Sequence, residues 1–450
     1  MRVPYLTSVV VALLLAVVLL STTVGTTVAT STGTVTIKLD AATTQPAIFW
    51  GMNFVATHSP GSDAAAKLGA TPTKLLVYPS GNATETVNMT NGAVYEIGHT
   101  GKASITIQTF ISDCKAISCK AGIGLPMEIN SPSTDAYEAK YIVDTLGFTP
   151  AYFSYGNEPE HYSCFDLSWA SLAKGHQCNT GGTTATAFAS ETEAAIKAVT
   201  KVLGSKTPPS LCLNAGTGAG WSPDVAWMQA LEANSYDKAA CSAFAMHDKP
   251  AHSADGSPTL ASFYATLTGP NGLPAVYLNM SKYTDGAPLY MTEVGPFTPT
   301  SVYLKPFANT WALNVLESAL VVQAMQLKVP AMGWWAWNSE EGIYGYAKMP
   351  FYTIYSELFS QLGSSWMSTQ YHGQNGLFGV ATKGTSTWSL IMVSTSISTS
   401  YKISLTGSGF PTTGKGTLYL CTSSGLTTES VTLSSGFTLP AQSVALLATG

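Results

Sequence analysis

"DAYEAKYIVDTLGFTPAYFSYGNEPE" (135–160) contains a whole structural unit: a helical segment, a Gly turn, a short apolar strand and two carboxylates. The strand "PAYFSYGN" lacks a polar face, as expected of a strand covered on both sides. The same unit recurs along the chain. Upstream, "AIFWGMNF" (47–54), "KLLVYPSG" (74–81) and "AGIGLPMEIN" (121–130) read as strands, separated by the helical segments "SDAAAKLG" (62–69) and "SITIQTFISDCKAIS" (104–118). Downstream, "PSLCLNAG" (209–216), "CSAFAMH" (241–247), "APLYMTEVG" (287–295) and "PAMGWWAWN" (330–338) are strands. Helical patterns follow them, among them "PDVAWMQALEAN" (223–234), "TLASFYATLTG" (259–269) and the long amphipathic "FANTWALNVLESALVVQAMQLK" (307–328).

Buried strands alternating with helices predict a parallel sheet, and eight such units suit a closed (β/α)8 TIM barrel over residues 45–363. A doubly wound open sheet is the alternative, but no GxGxxG follows an early strand. From about residue 364 the texture changes. "STWSLIMVSTSISTSYKISLTG" and the stretch from Gly416 to Gly450 alternate apolar with Ser and Thr and contain no helical pattern, so residues 364–450 read as an all-β sandwich. "GTVTIKLDAA" (33–42) alternates too, and precedes the first barrel strand. Residues 31–44 are therefore expected to join the β domain, with the two parts packed together.

The 450 residues are 45% hydrophobic and only 10% charged, with a net charge of -5. No basic tract is present, which argues against a nucleic-acid partner. Sparse ionisable groups also fit an acidic habitat. Arg2 followed by the apolar stretch Val9–Leu20 and small residues reads as a signal peptide over 1–30. Its core is short of the about 20 residues of a membrane span, so no membrane association is expected unless this segment stays uncleaved. The seven cysteines fit an exported protein. Pairing in chain order gives Cys114–Cys119, Cys164–Cys178 and Cys212–Cys241 and leaves Cys421 free, one of several connectivities the sequence allows. Asn82, Asn88 and Asn279 open glycosylation sequons.

In a barrel of this type the active site lies at the C-terminal ends of the strands. No HExxH, CxxC or GxSxG is present and the histidines are scattered, so neither a metal nor a cofactor is expected. Paired carboxylates remain. Glu158 follows strand four and Glu293 ends strand seven, across the barrel from each other, so the two can flank one bond. Glycoside hydrolysis needs such a pair: one protonated to assist the leaving group, the other to attack or to activate water. Asn157 can hydrogen-bond a sugar hydroxyl. Trp335 and Trp337 alternate on strand eight, share a face and are expected to floor a sugar site. Asn82 and Asn130 lie where substrate can reach. Glu160 reads as a solvated neighbour, Glu128 as a supporting residue, and Glu340 and Glu341 as rim residues.

"GNEPE" after strand four and "TEVG" at the end of strand seven resemble the acid/base and nucleophile signatures of the retaining barrel glycosidases of clan GH-A. The resemblance implies that Glu158 is the acid/base, Glu293 the nucleophile, and His247 a residue that orients the nucleophile. "LVYPSGNATETVNM" is similar to the segment after strand two in families 79, 51 and 39, and the layout is most similar to family 79, the β-glucuronidase and heparanase group. That family also builds its β-sandwich from C-terminal strands plus an N-terminal one. Val77 stands where the family has Arg, and Val294, Gly295 and Pro296 follow Glu293 in place of a polar run. The resemblance implies a secreted retaining glycoside hydrolase with a carbohydrate substrate, β-glucuronides favoured. An endo-acting β-glucanase or xylanase of the same clan is the nearest alternative, and a non-catalytic carbohydrate-binding surface protein the more distant one.

Overall fold

A computed structural model describes the chain except for residues 1–31, 45–48, 82, 97–98, 163–182, 216–224, 249–258, 271, 296–306, 308–309, 338–349, 370–375 and 408. The expected signal segment, the Cys164–Cys178 pair, Asn82, Glu340 and Glu341 thus lie outside the described residues. Among the described residues no helix is long and apolar enough to cross a membrane.

Eight parallel strands close into a barrel: β1 (Trp50–Asn53), β2 (Leu75–Tyr78), β3 (Lys120–Leu125), β4 (Tyr152–Tyr155), β5 (Ser210–Ala215), β6 (Cys241–Asp248), β7 (Leu289–Val294) and β8 (Met332–Trp334). Helical segments follow each strand, as the alternating pattern predicts. One element was not legible: a small hairpin, Ala93–Glu96 with His99–Lys102, between β2 and the helix Ile107–Ala116. Inside the barrel, Leu75, Val77, Tyr152, Leu211, Ala243 and Ala245 pack together, so the interior is a filled core. Cys114–Cys119 and Cys212–Cys241 are paired, with Cα separations of 5.2 and 5.7 Å, and Cys421 is buried and free.

The remaining strands form the second domain, and the N-terminal strand Thr32–Thr44 joins it as expected. Residues 32–38 pair in parallel with Ser400–Thr406, while residues 39–44 pair antiparallel with Ser365–Thr369. One strand therefore links the two layers of the sandwich. Leu390, Met392, Ala445 and Leu447 from one layer meet Val35, Ile37, Ile403 and Phe437 from the other. Their neighbours Ile391, Val393, Val444 and Leu446 point the opposite way, into the core shared with the barrel.

That second face changes the reading of the long helix after β7. Its composition suggested an amphipathic helix with one wet side. In the structure Trp311–Gln326 is buried along its length, from Ala312 to Met325. A helix apolar all round needs cover all round, and here the barrel supplies one side and the sandwich the other. Gln326 Nε2 reaches across to the carbonyl of Gly379 at 3.0 Å.

The scarcity of surface charge contrasts with buried acids. Glu85, Asp135, Glu138 and Glu317 are buried, and none forms an ion pair among the described residues. Burial pushes Glu85 and Glu138 up to about 8, and lifts Asp135 and Glu317 well above the usual carboxylate range.

Two outcomes follow from this packing. Leu320→Ala, in the middle of the shared helix, should cost about 2–5 kcal/mol. Urea unfolding followed by fluorescence and circular dichroism should show both domains lost in one shifted transition; a sandwich that melts separately would contradict the shared core. For Glu85 and Glu138, the folded chain keeps protons that the unfolded chain releases between the ordinary 4.5 and about 8. Stability should therefore be highest at the acid end and fall as pH rises through that window, by up to about 1.4 kcal/mol per pH unit for each group. Urea midpoints measured from pH 4 to 8 check the sign.

Candidate active site

β4 ends at Tyr155, and the chain turns through Gly156 and Asn157 into Glu158. His247 lies near the end of β6, and Glu293 near the end of β7. All three side chains are buried. His247 Nδ1 lies 2.8 Å from Glu158 Oε1 and 3.5 Å from Glu293 Oε2. An oxygen of each carboxylate and a ring nitrogen of His247 all lie within 4.8 Å of one another.

Simple alternation along β7 would not produce this. Tyr290 pairs with Ala245 and both pack on the barrel interior, so two residues on, Thr292 would stand beside His247. A register shift between Met291 and Glu293 adds one residue to β7, and Glu293 becomes the partner of His247. The same shift appears against β8, where Met291 faces Met332 and Val294 faces Trp334. Bulges of this kind re-aim side chains beside functional sites.

The loop after β2 closes over Glu293. The N–H of Gly81 donates to Glu293 Oε1 at 3.0 Å. Gly81 has a φ of +57, and a Cβ there would lie 2.3 Å from the Trp335 ring. Only glycine brings the backbone this close. Asn53, at the end of β1, ties the same corner together. Its Nδ2 donates to the carbonyls of Thr292 at 2.8 Å and Trp334 at 3.1 Å, and its Oδ1 accepts from Ser80 Oγ at 3.0 Å.

The structure sorts the remaining expected residues. Trp335 is half-buried between Gly81 and Gly295, so it flanks Glu293. Trp337 is fully buried: its Nε1 donates to the carbonyl of Pro60, and its ring packs near Tyr352. The idea that the two tryptophans share a face fails because β8 ends at Trp334, so strand alternation does not carry through to Trp337. Asn130 is also turned to another task. Its Nδ2 donates to Asp135 Oδ1 at 2.9 Å and Glu138 Oε2 at 3.2 Å. Asn157 lies where expected, beside Glu158, and Glu160 sits in the following 3-10 turn.

One buried residue escaped the sequence reading. Glu85, on the short helix Ala83–Thr86 after β2, accepts from the backbone N–H groups of Met127, Glu128 and Asn157 and from the Tyr162 hydroxyl. Tyr162 can donate to an ionised Glu85 and accept from a protonated one. Glu85 sits within "GNATET", whose sequon drew attention to Asn82 instead. No strand-end rule points at a residue several positions into a loop.

Among the described residues, Glu158, His247 and Glu293 are also the set with the spacing of metal ligands. Chemically, the trio offers a proton donor or acceptor, a nucleophilic carboxylate and an imidazole within reach of one small-molecule bond.

No protein-family model matches the sequence, and no curated protein matches it. Solved structures do. An α-L-arabinofuranosidase from Thermotoga maritima, in complex with arabinose, superposes with a TM-score of 0.69 at 13% identity, over 92% of this chain and 99% of that one. A family 51 arabinofuranosidase from Xanthomonas axonopodis pv. citri gives 0.67 at 14% identity, over 92% and 99%. A family 44 xyloglucanase from Paenibacillus polymyxa, with xyloglucan, gives 0.69 at 12% identity, over 93% and 100%. At such identities the likeness is one of fold, a barrel with a β domain, and it runs over 92–93% of this chain.

Proposed function

We propose that this chain is a secreted retaining glycoside hydrolase with Glu158 as acid/base and Glu293 as nucleophile. One observation carries the reading: two carboxylates from β4 and β7 face each other at the C-terminal mouth of the barrel, with oxygens within 4.8 Å. Retaining enzymes hold theirs about 5–5.5 Å apart, while inverting ones need about 6.5–9.5 Å to admit a water. The likeness in fold to two arabinofuranosidases and a xyloglucanase supports the same class.

In the first step Glu158 gives its proton to the glycosidic oxygen as Glu293 attacks the anomeric carbon. The carbon–oxygen bond breaks, the alcohol leaves, and a glycosyl ester forms on Glu293. In the second step Glu158, now ionised, takes a proton from water as that water attacks the anomeric carbon and frees Glu293. The Gly81 N–H offsets negative charge on Glu293 whenever that carboxylate is free. The His247 imidazole lies next to both carboxylates, within hydrogen-bond reach of Glu158, and holds the two in place. Trp335 supplies a flat apolar surface beside Glu293 for a sugar ring.

For the substrate, the resemblance carried by the sequence motifs favours β-glucuronides. The match to a xyloglucanase supports an endo-acting glycanase equally well. A panel of nitrophenyl glycosides and polysaccharides that includes glucuronides, arabinofuranosides, glucans, xylan and xyloglucan separates these. Export is supported by the apolar leader and by two cysteine pairs at disulfide spacing.

Glu158→Gln and Glu293→Gln should each lower kcat by about 10²–10⁴-fold or more, while Glu160→Gln leaves it within about threefold. A fluoroglycoside should leave its label on Glu293 by peptide mass spectrometry. An active Glu293→Gln protein, or a label elsewhere, defeats the assignment. A protein that binds glycans without turnover or labelling would be a carbohydrate-binding relative instead.

A further inference from the structure

Glu158 sits in an unusual backbone conformation, with φ 48 and ψ 59. Gly156, two residues earlier, is also left-handed at φ +78. Glycine takes that conformation freely; glutamate does not. Such a conformation at a working residue persists only where the surroundings impose it.

The surroundings here converge on Glu85. The amide that lies between the two left-handed residues is Asn157 N–H, and it donates to Glu85 Oε1 and to Tyr162 Oη at 3.1 Å. Tyr162 Oη in turn lies 2.8 Å from Glu85 Oε1. The other oxygen, Oε2, accepts from Met127 N–H at 2.7 Å and Glu128 N–H at 2.8 Å, in the loop after β3. A Cβ on Gly156 would lie 2.2 Å from Tyr162 Oη and 3.1 Å from Met127 Cγ, so the turn is pressed against the groups that Glu85 holds. One buried side chain from the β2 loop thereby fastens the β3 and β4 loops together at the residue before Glu158.

We propose that Glu85 is the positioning residue for Glu158. It touches no substrate; it fixes the backbone of residues 156–158 so that the Glu158 carboxyl stands against His247 and faces the leaving oxygen. The proposal rests on the acid/base reading of Glu158 and deepens it.

The test uses kcat/KM, which reports the first chemical step, on aryl glycosides of the sugar the wild-type protein cleaves best. Dinitrophenol leaves without a proton; phenol needs one. Glu158→Gln is the benchmark and should lose far more activity on the phenyl than on the dinitrophenyl glycoside. Glu85→Gln should follow that pattern, losing at least about tenfold more on the phenyl substrate. Equal losses on both substrates, with a steep benchmark, would mean that Glu85 is merely structural and overturn the proposal alone. A benchmark without leaving-group dependence would overturn the acid/base reading and this proposal with it. If Glu85→Gln does not fold, Tyr162→Phe removes only the hydroxyl on Oε1; a smaller loss of the same steepness is expected, and a flat one overturns the proposal.

Discussion

The mouth of this barrel depends on one imidazole lying between two carboxylates. His247 Nδ1 is within 3.5 Å of both Glu158 and Glu293, in a site where all three side chains are buried. Carboxylates this close repel when both are ionised, and low exposure strengthens the repulsion. With its proton on Nδ1 the ring offsets part of that cost, and the N–H of Gly81 offsets more on Glu293. Four strands, β2, β4, β6 and β7, bring these groups together. Three of them do so by departing from regular geometry: a left-handed residue after β4, an added residue in β7, and a glycine turn after β2 packed on Trp335.

Such departures are unfavourable in isolation, so they need a rigid frame. Asn53 binds the carbonyls of β7 and β8 to the β2 loop, and Glu85 binds the β2, β3 and β4 loops to one another. On the outside, the helix after β7 is enclosed by barrel and sandwich together. The β domain thus covers the helix that follows the Glu293 strand.

Buried acids set how the stability of this fold responds to pH. Glu85, Asp135 and Glu138 are held by amides, a hydroxyl and an asparagine, without a cation. Neutral acids tolerate such surroundings and ionised ones do not, so the interior favours the acid side of neutrality, as the composition also does.

The strand-and-helix rhythm was legible because burial on both faces and helical spacing leave marks in any short window. So was the pair Glu158 and Glu293, since each lies at the end of a strand and barrel topology puts those ends at one mouth. The N-terminal strand could be assigned to the β domain because it came before the barrel began. Local patterns could not reveal what depends on register and on distant cover. Strand alternation aimed Trp337 at a sugar, but β8 stops at Trp334. Asn130 looked free to meet substrate, yet its amide is spent on Asp135 and Glu138. Nothing local marks Glu85, because the groups it binds lie 42 to 77 residues away in sequence. The sequence by itself determined which carboxylates stand at the mouth of the barrel. Only the tertiary structure decided how they are held, because a one-residue bulge and a left-handed turn are imposed by neighbours that the local sequence does not contain.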